Sequence, residues 1–79
     1  MTVVAREDGW VVEVFTRDHP PPHVHVRKPG CDVKVALTPG GPAHIVRVRG
    51  GTGRDALRAV RVVEQHREAL ERAWERIHG

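Results

Sequence analysis

Residues 18–37 read DHPPPHVHVRKPGCDVKVAL, and this stretch determines the expected architecture of the chain. Two segments, 23–28 and 32–38, alternate between apolar and polar side chains, as β-strands with one buried face do. Pro29-Gly30 lies between them and favours a tight turn. Prolines 20–22 precede the first segment and require an extended approach, because proline cannot donate a ladder hydrogen bond. The stretch therefore predicts an antiparallel strand pair.

Three further segments, 2–5, 11–15 and 44–49, are also rich in β-branched residues. Asp8-Gly9 separates the first two and is a strong hairpin signal, since glycine accepts the positive φ that the turn requires. Consecutive strands joined mostly by tight turns usually pair with their neighbours in sequence. We therefore predict an antiparallel meander of about four to five strands.

From Gly53 onward the apolar residues follow a helical period instead. Thr52 and Asp55 predict a capping box, with aspartate in place of the usual glutamate or glutamine. One apolar stripe runs along the expected helix and contains Ala56, Val60, Val63, Leu70, Trp74 and Ile77. The predicted fold class is α+β: a small antiparallel meander covered on one face by a single long C-terminal helix, in one domain over residues 1–79.

Bulk properties narrow the class of protein. A chain of 79 residues is expected to form one core rather than two. Its one cysteine, Cys31, excludes an internal disulfide and indicates a reducing, cytoplasmic setting. No segment resembles a signal peptide or approaches the roughly 20 apolar residues of a membrane span. We expect a soluble cytoplasmic protein that does not bind membranes.

Strand alternation predicts where the charged side chains lie. If Val24 and Val26 pack beneath the helix, the neighbouring histidines His23 and His25 face the other way. The same logic directs Val46 and Val48 inward. The open face then also carries a group of cations, namely Arg27, Lys34, Arg47 and Arg49. Such a basic, histidine-bearing face attracts polyanions such as RNA or DNA.

Three kinds of chemistry fit this face, and the sequence leaves all three open. His23 and His25 are candidate catalytic acid–base groups for a phosphodiester, with the four cations as nucleic-acid or anion-binding residues. Alternatively, His19, His23 and His25 are candidate ligands of a divalent metal such as zinc, and Asp18 is another source of the third ligand. The third alternative is a docking surface without catalysis, for nucleic-acid backbone or for a protein.

Other histidines and Cys31 have simpler interpretations. His66 lies within the apolar arc of the predicted helix, so we expect it to be partly buried with a hydrogen-bond partner. Cys31 has no neighbouring base that would make it a nucleophile. The absence of tyrosine and the scarcity of other aromatic residues disfavour RNA recognition by base stacking.

Two motifs carry a family resemblance. Residues 18–26 are similar to the Asp-His-x-Pro-Pro-His-x-His signature of a bacterial family, domain of unknown function 4160. Residues 66–74 resemble its closing helix, which places His66 and Trp74 among the family's motif positions. The sequence departs from the family pattern in 11–15 and at Val24, where aromatic residues are usual.

The resemblance implies no established activity. Genes of the family often lie beside those of domain of unknown function 2442, in pairs that look like toxin–antitoxin modules. A small partner protein and a role with nucleic acid are therefore implied. The leading hypothesis is a toxin–antitoxin-like component that binds, and in one version cleaves, nucleic acid. The alternatives are a protein-interaction module without enzymatic activity and a metal-binding protein with histidine ligands.

Overall fold

The computed structural model describes residues 2–79, which form five strands followed by two helices. The strands are β1 (Thr2–Glu7), β2 (Trp10–Val14), β3 (His23–Lys28), β4 (Cys31–Ala36) and β5 (His44–Gly50). All neighbouring pairs are antiparallel and the spatial order equals the chain order, so β1 and β5 are the sheet edges. The predicted α+β meander is confirmed, with five strands.

The turns follow from their residues. Asp8 and Gly9 have φ values of 50° and 83°, which is the positive-φ pair of a two-residue hairpin turn between β1 and β2. Gly30 has a φ of 78° directly after Pro29 and joins β3 to β4. Both hairpins lie where the sequence predicted them.

The helical part consists of α1 (Gly53–Gln65) and α2 (Arg67–His78). At its start the Asp55 N–H donates to the Thr52 hydroxyl at 3.1 Å, and the Thr52 N–H donates to the Asp55 carboxylate at 3.0 Å. The capping box is therefore confirmed.

The prediction of one long helix is wrong, because the chain leaves helical geometry at His66, where φ is −112° and ψ is 16°. The His66 ring lies 2.9 Å from the Glu7 carboxylate on β1. α1 packs across β2 to β5, whereas α2 packs on β1 and β2. The break at His66 thus separates two helical segments that cover different strands of the sheet, and both segments contribute buried apolar residues.

The core lies between the helices and one face of the sheet. Its fully buried strand residues are Val12, Val14, Val24, Val26, Val33 and Val35. The helices contribute Ala59, Val62, Val63, Leu70 and Ala73, also fully buried. Val46 and Val48, expected to point inward, are instead 52% and 42% exposed. They lie on the edge strand β5, where the pairing with β4 contains a bulge.

Gly50 and Gly51 connect β5 to α1 with φ values of 73° and 76°. A Cβ atom at Gly50 would collide with the Gly30 carbonyl oxygen. Gly53 begins α1, has no positive φ, and has open space where its Cβ would be. Gly50 and Gly53 therefore differ in backbone conformation and in the space available for a Cβ atom.

We expect Gly50→Ala to lower the free energy of unfolding by at least about 1–2 kcal/mol, from positive-φ strain alone. The matched control Gly53→Ala should be neutral or stabilising by up to about 1 kcal/mol. Urea unfolding followed by circular dichroism measures both. Equal effects of the two substitutions would contradict the proposed close approach at Gly50.

Asp55 links the helix cap to the sheet, since Lys28 Nζ lies 2.6 Å from its Oδ1. The hydrogen bond from Lys28, with that from the Thr52 backbone, lowers the pKa of Asp55 below 3.8. A lowered folded-state pKa adds stability above pH 3.8, which is lost as the pH falls through the folded value.

Asp55→Asn should therefore lower the urea midpoint at pH 7. The difference from wild type should narrow below pH 3.8, and a difference independent of pH would refute this role.

Candidate functional site

One row of polar side chains crosses four strands on the face opposite the core. His25 of β3 pairs with Glu13 on β2 and with Lys34 on β4, and Lys34 pairs with Arg47 on β5. Paired residues of antiparallel strands project from the same face. The next row contains only valines, including fully buried Val26. Alternation along β3 thus separates core from polar face as predicted.

The Asp18 carboxylate contacts both histidines of β3. Its Oδ2 lies 2.8 Å from Nε2 of His23 and 2.8 Å from Nε2 of His25. Nδ1 of His23 lies 2.9 Å from the Pro21 carbonyl oxygen. Residues 18–22 therefore fold back over the start of β3, and we call Asp18, His23 and His25 the Asp-His-His cluster.

Both imidazoles are buried, with 6% exposure for His23 and 7% for His25, which differs from the expectation of an open face. The Phe15 ring stacks on His25 at 4.0 Å between centroids, with an interplanar angle of 11°. The Trp74 ring of α2 lies 5.3 Å from that of His23. The imidazoles are covered because the segment after β2 and the last helix close over the end of β3.

The protonation of the cluster follows from its partners. Partial burial of Asp18 opposes ionisation, but hydrogen bonds from His25 and His23 outweigh it and keep the Asp18 pKa below 3.8. Asp18 is therefore a carboxylate at neutral pH. A carbonyl oxygen only accepts hydrogen bonds, so Nδ1 of His23 carries a hydrogen and donates it to Pro21. Nε2 of the same ring then faces a carboxylate oxygen.

A cleft of about 410 Å³ opens beside the cluster. Its lining residues are Asp18, His19, Pro20, Pro21, Pro22, His23, Lys34, Ala36 and Val46. Of the two candidate catalytic histidines, His23 lines this cleft and His25 does not. His19 is exposed on its wall and is outside the three-residue cluster. Asp18, rather than His19, is the third member.

The four cations predicted to bind anions lie on the same face but differ in pairing. Arg27 is bound to Glu13 at 3.1 Å and lies 3.7 Å from Asp32. Lys34, Arg47 and Arg49 take part in no ion pair within residues 2–79. Three cations without an ion-pair partner therefore lie on the neighbouring strands β4 and β5. We call these three residues, taken together, the basic strand pair.

His66 and Trp74, the two helical residues predicted from the family resemblance, have different surroundings. His66 binds Glu7 and is not part of the Asp-His-His cluster. Trp74 contacts His23 and also packs at a tilt against His78, with centroids 3.9 Å apart and an interplanar angle of 31°. Sequence reasoning missed the contacts of Phe15 and Trp74 with the histidines. The only local signal for Phe15 was its position at the end of an apolar segment.

The fold and the cluster together define an α+β protein with a buried carboxylate–imidazole site at one end of a meander. The sequence profile of the family described as Domain of unknown function (DUF4160) matches residues 9–75, so the chain belongs to that family. The matched range includes the Asp-His-His cluster and Trp74. No curated protein and no solved structure matches the chain. Among the described residues, no helix is long and apolar enough to cross a membrane.

Cys31 lies at the opposite end of β3 and β4 from the cluster, and it is 5% exposed. Burial, reinforced by the negative charge of Asp55, raises the pKa of its thiol above 9.0. We expect the native thiol to react with Ellman's reagent more slowly than in urea, because burial limits access and the raised pKa lowers the thiolate fraction. Equal rates in the native and unfolded protein would contradict this burial.

Proposed function

We propose that the protein binds the phosphate backbone of nucleic acid through the basic strand pair, as one cytoplasmic component of a toxin–antitoxin-like pair. The observation that carries the proposal is the direct opposition of Lys34 and Arg47 on neighbouring strands. Like charges placed directly opposite one another destabilise a sheet. A phosphate placed between these cations would offset their repulsion.

The position of Lys34 supports the same proposal, because Lys34 also lines the cleft beside His23. An anion held by Lys34 and Arg47 would therefore lie next to the Asp-His-His cluster. In the version of the proposal that includes cleavage, His23 is the acid–base residue, since it is the candidate histidine that lines the cleft. His25 would then hold Asp18 in place.

The aromatic residues favour backbone binding over base recognition. Phe15 is stacked on His25, and Trp10 and Trp74 are 2% and 7% exposed. Binding of single strands through bases normally uses exposed aromatic rings. We therefore propose binding that depends on charge and little on sequence.

A second candidate function, docking of a small partner protein, is favoured by β5. This edge strand is exposed along its whole length, and Ile45, Val46 and Val48 are each at least 38% exposed. An unpaired edge with apolar side chains can accept a strand from another chain. A partner resembling domain of unknown function 2442 is the candidate that the family resemblance implies.

Salt titration tests the proposed nucleic-acid binding. Binding of a fluorescein-labelled single-stranded RNA is measured by anisotropy at several KCl concentrations. Three phosphate contacts predict a slope of log affinity against log salt of about −2, because each contact on a single strand contributes about −0.7. Lys34→Ala and Arg47→Ala should each reduce the slope by about 0.7 and weaken binding at low salt. Neither should lower the melting temperature, since each removes a repulsion.

Arg72→Ala is the matched control, because Arg72 is an exposed arginine on α2 whose only ion pair among residues 2–79 is a 3.9 Å contact with Glu68. It changes the net charge equally and should leave the slope unchanged. Binding without salt dependence, or an equal loss in all three variants, would remove the proposed site. If RNA does not bind but the chain binds its partner protein independently of salt, the docking function is supported instead.

A further inference from the structure

We propose that Asp18, His23 and His25 bind one divalent transition-metal ion of the zinc type. The ligand atoms are Oδ2 of Asp18 and Nε2 of each histidine, which all lie within 4.8 Å of one another. The proposal goes beyond nucleic-acid binding, because it concerns a buried cluster and the basic strand pair does not contribute to it. It replaces the acid–base role of His23 in the cleavage version, because a metal-bound Nε2 cannot exchange a proton with a substrate.

The distances suit a metal centre. Around a tetrahedral Zn²⁺ with bonds of about 2.0–2.1 Å, ligand atoms are separated by about 3.3 Å. Each Nε2 now lies 2.8 Å from Oδ2 of Asp18. The two distances to Asp18 therefore need to lengthen by about half an ångström, and the two histidine nitrogens, which lie within 4.8 Å of each other, need to approach by at most about 1.5 Å, to coordinate one ion.

The hydrogen-bond pattern of His23 is the second observation. Nδ1 of this ring donates to the Pro21 carbonyl, so in the neutral imidazole the Nε2 atom carries a lone pair. That lone pair and the Asp18 carboxylate oxygen would repel each other without a positive charge between them, and the charge is either a second ring proton, as in a His23–Asp18 ion pair, or a metal ion. A metal ion supplies that charge and binds both atoms.

The surroundings of the cluster have the features of built metal sites. Histidine ligands of metals usually donate their second ring N–H to a carbonyl or carboxylate, as His23 does to Pro21. Phe15 and Trp74 pack against the imidazoles and fix their orientation. Asp18 and His23 also line the cleft, which provides access from solvent and room for a fourth ligand such as water.

The donor set selects the class of metal. Two imidazole nitrogens and one carboxylate suit Zn²⁺ and other first-row divalent ions, whereas Mg²⁺ and Ca²⁺ prefer oxygen ligands alone. Cys31 lies at the far end of β3 and β4 and does not contribute. The site is therefore expected to discriminate Zn²⁺ and Co²⁺ from Mg²⁺.

The first test is titration of the chelator-treated full chain with ZnCl₂ in a calorimeter, with MgCl₂ as the comparison ion. We expect one Zn²⁺ per chain and no heat of binding with Mg²⁺. Asp18→Asn should weaken Zn²⁺ binding at least about tenfold, because the loss of even a supporting residue typically costs that much. The matched controls His19→Ala and His44→Ala remove exposed histidines and should leave the affinity unchanged.

The second test uses the wild-type chain and therefore does not depend on the folding of any variant. In ¹⁵N-labelled protein, Zn²⁺ should shift the Nε2 resonances of His23 and His25 while that of His66 stays in place. The cobalt derivative should show visible d–d absorption without a thiolate charge-transfer band.

Binding of several ions, loss of binding in His19→Ala or His44→Ala, or undiminished affinity in Asp18→Asn would each overturn the assignment. Absence of Zn²⁺ binding by the wild-type chain would do so as well. None of these results affects the salt-dependent RNA measurement, which reports on Lys34 and Arg47. The failure of one proposal can therefore be distinguished from the failure of the other.

Discussion

A β-strand that is paired on both sides must present successive side chains to opposite faces of its sheet. β3 is such a strand, and its valines, Val24 and Val26, are fully buried beneath the helices. The side chain of His25 is thereby committed to the other face, in register with Lys34. Burial of the two valines therefore also fixes the face on which the imidazoles lie. A shift of register by one residue would exchange valines and imidazoles between the two faces.

The prolines after Asp18 convert this strand face into an enclosed site. An open sheet face leaves imidazoles hydrated, whereas here the preceding segment returns across them and brings the Asp18 carboxylate to both Nε2 atoms. Trp74 of α2 closes the same end and joins the cluster to the helical layer. The segment 18–26 and the last helix therefore meet at His23.

Local patterns predicted the parts of the structure whose causes are local. The strands, the Asp8-Gly9 turn and the Thr52 capping box each follow from side chains a few residues apart. The break at His66 was not predictable, since the apolar stripe continues through it and its partner Glu7 is distant in sequence. The choice of Asp18 over His19 was equally hidden, because it depends on the path of the proline segment in space.

The ionisable groups of the polar face fall into two sets, one buried and one near the exposed edge of the sheet. The Asp-His-His cluster places two imidazole nitrogens around a single carboxylate where water is largely excluded and electrostatic interactions are stronger than in solution. Lys34 and Arg47 lie toward the exposed edge with no carboxylate partner among the described residues. A small cation suits the enclosed end and a large anion suits the exposed row, because a phosphate chain fits only where the sheet is open. Lys34, which lines the cleft beside His23, is where these two charge environments meet.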